Sequence, residues 1–190
     1  MMKNIVLCGI GGQGTVLASK LIASAAMSKN IPVMSAETIG MAQRGGNVFS
    51  NLRMGEGVHS PMIAKGQADI ILGFEPGETV RMLPFLKADG VVVTNKRAIM
   101  PTTATLSGFH YDADEMIDYL KTRVNKLHVI DGDEALKELG SSKVLNIVLL
   151  GAALRTKAIE LSEEDIICSM EKMLKPEFME LNKKAIYYTK

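Results

Sequence analysis

The sequence predicts an α/β fold: a three-layer, Rossmann-like domain with a mainly parallel sheet and a helical C-terminal region. Three observations predict it. Short apolar runs bounded by glycine or proline recur over the first 130 residues. Stretches with helical character separate these runs, so strands and helices alternate, as they do where crossover helices cover both faces of a sheet. From residue 143 onward the pattern is helical throughout.

Residues 4–8 open the chain as a buried strand, rich in β-formers and ended by glycine. Residues 15–29 form a helix in which Leu17, Leu21 and Ala25 sit among small residues suited to close packing on a sheet. A second strand spans 31–36 and opens at Pro32, where a proline is tolerated. Residues 47–54 alternate Val48, Ser50, Leu52, Met54, predicting a half-exposed strand that ends at the Gly55-Glu56-Gly57 turn. Another buried strand covers 69–74, and Pro76 suits the first turn of a helix running to about residue 86. The Val91-Val92-Val93 run makes a strand of 90–94. Residues 96–110 hold Pro101 and many hydroxyl side chains and read as an irregular excursion. An amphipathic helix over 113–123, a strand over 126–130 and a helix over 131–139 capped by Asp131 complete the alternation.

Length and composition set limits. At 190 residues, 47 % hydrophobic and 23 % charged, the chain makes one domain, residues 1–190, with no linker long enough to divide it. The net charge of +1 supplies no field for nucleic acid or an anionic membrane. No leader opens the chain, and its longest apolar stretch, 144–154 with Asn146 inside it, is too short to span a bilayer. A cytoplasmic protein is expected. Cys8 and Cys168 are the only cysteines, too few for a four-cysteine cluster, and His59, His110 and His128 stand beside no ligand pattern. No metal site and no catalytic group is expected of the chain alone. The thirteen methionines suit either a partner-binding face or gap-filling in the core.

Two glycine-centred signatures carry the chemistry. The first is Gly9-Ile10-Gly11-Gly12-Gln13-Gly14-Thr15, directly after the first strand. Its glycines permit positive φ and close approach of backbone, and the helix that follows offers free N–H groups to an anion. The spacing of Gly9, Gly11 and Gly14 matches the dinucleotide fingerprint, with Glu37 as a ribose-holding acid at a somewhat long spacing. Thr15 stands where a P-loop needs lysine, which argues against ATP hydrolysis. Gln13 can hydrogen-bond an incoming chain or ligand in both directions. The second signature, Gly40-Met41-Ala42-Gln43-Arg44-Gly45-Gly46-Asn47, follows the second strand. Arginine beside glycines presents its planar fork to a carboxylate or phosphate without obstruction. The candidate ligand-binding or interface residues are therefore Gly9, Gly11, Gly12, Gln13, Gly14, Thr15, Glu37, Arg44, Gly45, Gly46 and Asn47. The plainer alternatives are a tight strand-to-helix turn and a surface arginine.

Together the two signatures resemble the gamma-type domain of 2-oxoacid:ferredoxin oxidoreductases, the superfamily that includes the pyruvate/ketoisovalerate enzymes. Three further stretches narrow the resemblance to the beta-subunit family of indolepyruvate ferredoxin oxidoreductases. They are His59-Ser60-Pro61-Met62-Ile63 leading to Gly66-Gln67-Ala68-Asp69, then Leu72-Gly73-Phe74-Glu75-Pro76, and Asn146-Ile147-Val148-Leu149-Leu150-Gly151-Ala152. The resemblance implies oxidative decarboxylation of an aryl 2-oxoacid, with coenzyme A taking the acyl group and ferredoxin the electrons. It also implies that thiamine diphosphate and iron–sulfur clusters belong to a larger alpha subunit, the obligate partner. This chain then binds no cofactor alone, and its glycine loops line the subunit interface, where coenzyme A is a candidate ligand. A homodimer is a candidate state of the isolated chain. The alternatives from other classes are a stand-alone NAD(P)-binding Rossmann protein and a scaffold subunit that binds no ligand.

Overall fold

A computed structural model describes residues 2–38, 46–100 and 111–189. In chain order the elements are β1 (Lys3–Ile10), α1 (Thr15–Ser28), β2 (Val33–Glu37), β3 (Asn47–Met54), β4 (Ala68–Gly73) and α2 (Pro76–Met82). A 3-10 turn (Leu83–Phe85) leads into β5 (Leu86–Asn95), α3 (Ala113–Arg123), β6 (Lys126–Ile130) and α4 (Gly132–Leu139). A second 3-10 turn (Ser142–Val144) precedes α5 (Leu145–Arg155), α6 (Glu163–Met173) and α7 (Pro176–Ile186).

The six strands form one sheet in the order β2-β3-β1-β4-β5-β6. Strands β1, β4, β5 and β6 pair in parallel, while β3 is antiparallel to both of its neighbours. The period-2 alternation of each strand feeds two cores. Ile5, Leu7, Ile70, Leu72, Val91 and Val93 face α1 and the C-terminal helices. Val6, Cys8, Ile71 and Val92 face α2 and α3, through Met82, Ile117 and Leu120. Two covered faces make the three layers, and they explain why the central strands read as continuous apolar runs.

Three elements depart from the sequence reading. Strand β3 was expected to be half-exposed, but it lies inside the sheet between β1 and β2, so Ser50, Asn51, Leu52 and Met54 are all buried. Strand β5 begins before Gly90, because Ala68 pairs with Leu86 across a register shift ahead of Ile70–Val91. Gly90 makes that shift possible: a Cβ there would come within 2.6 Å of Leu86 Cδ1 and 3.1 Å of the Ala68 carbonyl. The second strand starts at Val33 rather than 31, since the Ile31 N–H closes the end of α1 on Ala26 O at 2.9 Å and Pro32 O accepts from Gly55 N–H at 2.8 Å. Of the 96–110 excursion, residues 101–110 lie outside the described residues, and so does His110.

At the amino ends of the strands, the Arg53 guanidinium donates to Asn4 Oδ1 (3.0 Å), Ser60 O (3.0 Å) and Met62 O (3.3 Å). Asn4 N–H donates in turn to Asp69 Oδ2 at 2.7 Å, and Lys87 Nζ meets the other oxygen. The 59–69 stretch is thus tied down at the edge opposite the glycine loops.

Candidate ligand-binding and interface site

The parallel strands β1, β4, β5 and β6 direct their carboxyl ends to one edge, where open α/β sheets bind ligands near a switch in strand order. That switch lies between β1 and β4. The chain leaves β1 toward β2 on one side and later enters β4 on the other. The first glycine loop sits at this point.

Both signatures meet there. Ile10 pairs with Asn47, and the Gly11 N–H donates to the Gly46 carbonyl at 2.9 Å. Gly12 and Gly14 take φ +100° and +83°, the left-handed region that favours glycine. Gly12 is open, with nothing within 4 Å of where a Cβ would stand. Gly9 is buried; a Cβ there would press on Gln13 Oε1 at 2.7 Å and on Phe74 Cβ at 2.8 Å. Asn47 is exposed and Gly46 half-buried. Arg44 and Gly45 lie outside the described residues.

Gln13 is placed differently from the sequence expectation of a side chain offered to a ligand. Its Oε1 accepts from the Ile10 N–H at 2.7 Å, and its Nε2 donates to the Phe74 carbonyl at 2.9 Å. The amide holds the turn closed and joins the ends of β1 and β4. Phe74 O also accepts from Asn95 Nδ2 at 3.3 Å, and Asn95 Oδ1 accepts from the Gly132 N–H at 3.1 Å. Two amide side chains therefore stitch three strand ends and the start of α4 into one platform. The sequence reading missed Asn95; the polar residue closing the Val-Val-Val-Thr strand was the available signal.

Helix α1 begins at Gly14 with no side-chain cap and no acidic residue in its first turn. Its first N–H groups are left without intrahelical partners, and the helix end carries partial positive charge. Thr15, at the first position, is buried with its hydroxyl unpartnered. This is the anion-receptive backbone that the glycine spacing anticipates.

Glu37 occupies a different place from that required by a dinucleotide fingerprint. It ends β2 and pairs with Ser50, which pairs with Leu7. Strand β3 intervenes, so Glu37 lies two strand spacings from β1, about 9–10 Å in the sheet plane. A ribose acid in that fold sits on the strand next to β1.

On the α2–α3 side of the platform lies a buried polar cluster. Glu75, fully buried, caps α2 by accepting from Glu78 N–H at 2.8 Å, and it accepts the Tyr111 hydroxyl at 2.9 Å. Thr79 and Thr94 share a hydrogen bond of 2.8 Å beside it. Burial raises the Cys8 thiol, with Glu78 adding to the rise. Burial also pushes Glu78 above the ordinary carboxylate value, against the pull of Arg81. On the opposite side, α1, α4 and α5 line an open cleft of ≈ 420 Å³ that reaches from Gly12–Gly14 to Arg97 and Asn146. Among the described residues no group of three or more His, Cys, Asp or Glu side chains is placed to hold a metal ion. No helix there is long and apolar enough to cross a membrane.

The sequence pattern of the pyruvate ferredoxin/flavodoxin oxidoreductase family matches residues 4–189. The chain belongs to this family. Membership makes it part of an oxidoreductase of the 2-oxoacid class. Indolepyruvate oxidoreductase subunit IorB of Methanothermobacter thermautotrophicus is 38 % identical over 97 % of this chain and 94 % of its own length. The subunit of the same name from Archaeoglobus fulgidus is 34 % identical over 98 % and 92 %. The common gamma subunit of the pyruvate/ketoisovalerate oxidoreductases of Pyrococcus abyssi is 26 % identical over 97 % and 93 %. Among solved structures, the gamma subunit of a keto/oxoacid ferredoxin oxidoreductase from Geobacter sulfurreducens shares the fold with a TM-score of 0.70, at 22 % identity over 97 % of this chain and 94 % of its own. A 2-oxoglutarate:ferredoxin oxidoreductase from Magnetococcus marinus, solved with 2-oxoglutarate, coenzyme A and succinyl-CoA bound, matches with a TM-score of 0.71 and 17 % identity over 97 % of this chain and 30 % of that one. The gamma-type domain of this oxidoreductase family is thus the α/β architecture of the present chain.

Proposed function

We propose that this chain is the non-thiamine-binding subunit of a cytoplasmic indolepyruvate (aryl 2-oxoacid) ferredoxin oxidoreductase, active only with a larger alpha subunit that carries thiamine diphosphate and iron–sulfur clusters. The substrate class is supported by the higher identity to the indolepyruvate subunits than to the pyruvate/ketoisovalerate gamma subunit. The observation that carries the interface reading is the Gly11–Gly46 hydrogen bond, which joins both signatures beside the uncapped start of α1. That seam, Gly11 to Gly14 with Arg44 to Asn47, docks the alpha subunit and holds an anionic ligand, for which coenzyme A is the candidate.

The chain's own contribution is positional. Gly12 offers backbone without side-chain obstruction, α1 offers unmet N–H groups, and Arg44 supplies a guanidinium suited to phosphate. Thiamine diphosphate in the partner supplies the carbanion chemistry of decarboxylation. Reconstitution of the two subunits with Arg44→Ala and with Gly12→Val tests the reading. The expected result is a rise of about tenfold in the coenzyme A requirement for Arg44→Ala, the scale of one lost charged hydrogen bond. Gly12→Val is expected to impair assembly. Unchanged assembly and unchanged coenzyme A dependence in both variants would overturn it.

A further inference from the structure

The seam between the two signatures makes no use of the Glu75 side chain, although Glu75 belongs to a stretch that carries the family resemblance. Glu75 is fully buried, and among the described residues no cation forms an ion pair with it. A buried carboxylate persists only where hydrogen-bond donors surround it. Among the described residues Glu75 has three. Its Oε2 accepts from the Glu78 N–H at 2.8 Å, which caps α2. Its Oε1 accepts from the Tyr111 hydroxyl at 2.9 Å and from the Ile99 N–H at 3.4 Å.

Ile99 and Tyr111 flank the stretch between β5 and α3, so one carboxylate oxygen ties both flanks to the start of α2. Burial and the adjacent Glu75 charge keep the Tyr111 hydroxyl protonated, which makes it a lasting donor. Gly77 leaves room for that hydroxyl, since a Cβ there would collide with it. An apolar side chain in place of Glu75 avoids the cost of burying charge; the carboxylate instead fixes where residues 96–100 run. That segment is held again at its start, where the Lys96 N–H donates to the Ile130 carbonyl at 2.8 Å. It presents two adjacent apolar side chains to the outside, Ile99 at 36 % exposure and Met100 at 48 %. Ile99 also lines the cleft that begins at Gly12–Gly14, so the pair is continuous with the glycine-loop edge.

We infer that Glu75 is a positioning residue: through Tyr111 and the Ile99 amide, its carboxylate holds Ile99 and Met100 in place as an apolar docking patch for the larger alpha subunit. This inference rests on the proposed function and extends its interface from the glycine seam to the segment after β5. Apolar side chains beside a subunit seam lose their exposure to water when the partner docks. A backbone fixed beforehand lowers the ordering cost of that contact.

Titration of the alpha subunit with the folded full chain, followed by oxidoreductase turnover, tests it. Tyr111→Phe keeps the ring and removes only the clasping hydroxyl. It is expected to weaken association about three- to tenfold, while turnover at saturating chain equals that of the parent. Ile99→Lys is expected to weaken association about tenfold or more. The double variant is expected to match Ile99→Lys within about twofold, because the clasp acts through that patch. Met27→Lys, an exposed apolar position in the last turn of α1, leaves association unchanged. A hydroxyl that only stabilises the fold would lower the melting temperature of Tyr111→Phe and leave its association intact, and that result overturns the inference. Full association of Ile99→Lys, full additivity of the two changes, or equal weakening by Met27→Lys overturns it as well. Failure of the parent chain to associate removes the proposed function too, whereas parent association with an unaffected Tyr111→Phe removes the clasp alone.

Discussion

Glu78 shows how burial at a single residue sets the sign of a pH effect. Its side chain is nearly inaccessible, while its ion-pair partner Arg81, 3.2 Å away, is largely exposed. Burial pushes the carboxyl above its ordinary 4.5, Arg81 pulls it back, and Glu75 adds to the rise. The native state then binds this proton more tightly than the unfolded chain. The group's stabilising contribution is full below about 4.5 and is lost as pH climbs through the raised native value. Glu78→Gln is therefore expected to be at least as stable as the parent at pH 8, with a shallower decline in stability between pH 5 and 8. Urea unfolding at a series of pH values checks this. A loss of more than about 1 kcal/mol at pH 8 would show that the Arg81 pair outweighs the burial cost, contrary to the modest worth of half-exposed pairs. The same cluster shows why Gly77 and Gly73 are glycines. A Cβ at Gly77 would collide with the Tyr111 hydroxyl, and one at Gly73 with Thr79.

Among the elements, the strand ends depend on side-chain amides as much as on the ladder. Gln13 joins β1 to β4, and Asn95 joins β4 and β5 to the start of α4. Replacing Gln13 with leucine keeps the volume but orphans the Ile10 N–H, while Phe74 O retains its bond from Asn95. The expected cost is about 2 kcal/mol, one lost bond plus a partly buried unmet donor. Chemical denaturation measures it, and a loss below about 0.5 kcal/mol would mean that the amide bridge contributes little. Helix caps follow the same division of labour. Glu75, Asp112, Asp131 and Ser162 cap α2, α3, α4 and α6 with their side chains. Helices α1 and α7 start without a side-chain cap, and α5 continues the 3-10 turn Ser142–Val144, where the Ser141 hydroxyl accepts from the Lys143 N–H.

For the whole molecule, Cys8 reports on global opening. It lies in the middle strand of the α2–α3 core, fully buried, whereas Cys168 is exposed on α6. Burial raises the Cys8 thiol, so it stays protonated at pH 8 as well as sterically shielded. A thiol reagent at pH 8 is expected to modify Cys168 alone in the native protein and both cysteines after denaturation. Rapid native labelling of Cys8 would contradict the closed core. The same core separates what could be read in the chain from what could not. The alternation of apolar runs with helical stretches made the three layers legible, because periodicity of 2 or 3.6 residues is a local property. The glycine loop and the Asp131 cap were legible for the same reason: each is set within a few residues. By itself, then, the sequence determined the α/β class, the helix-starting glycine turn and, through its signatures, the oxidoreductase family. The tertiary structure alone decided that β3 inserts between β1 and β2, which moves Glu37 away from the first loop. It also decided that Gln13 turns inward, that Gly11 meets Gly46, and that Asn146 faces a cleft beside Gly14. Each of these joins residues distant in the chain or depends on which partner a polar group finds first. Strand order and hydrogen-bond choice are settled by competition across the whole fold, so no local pattern encodes them.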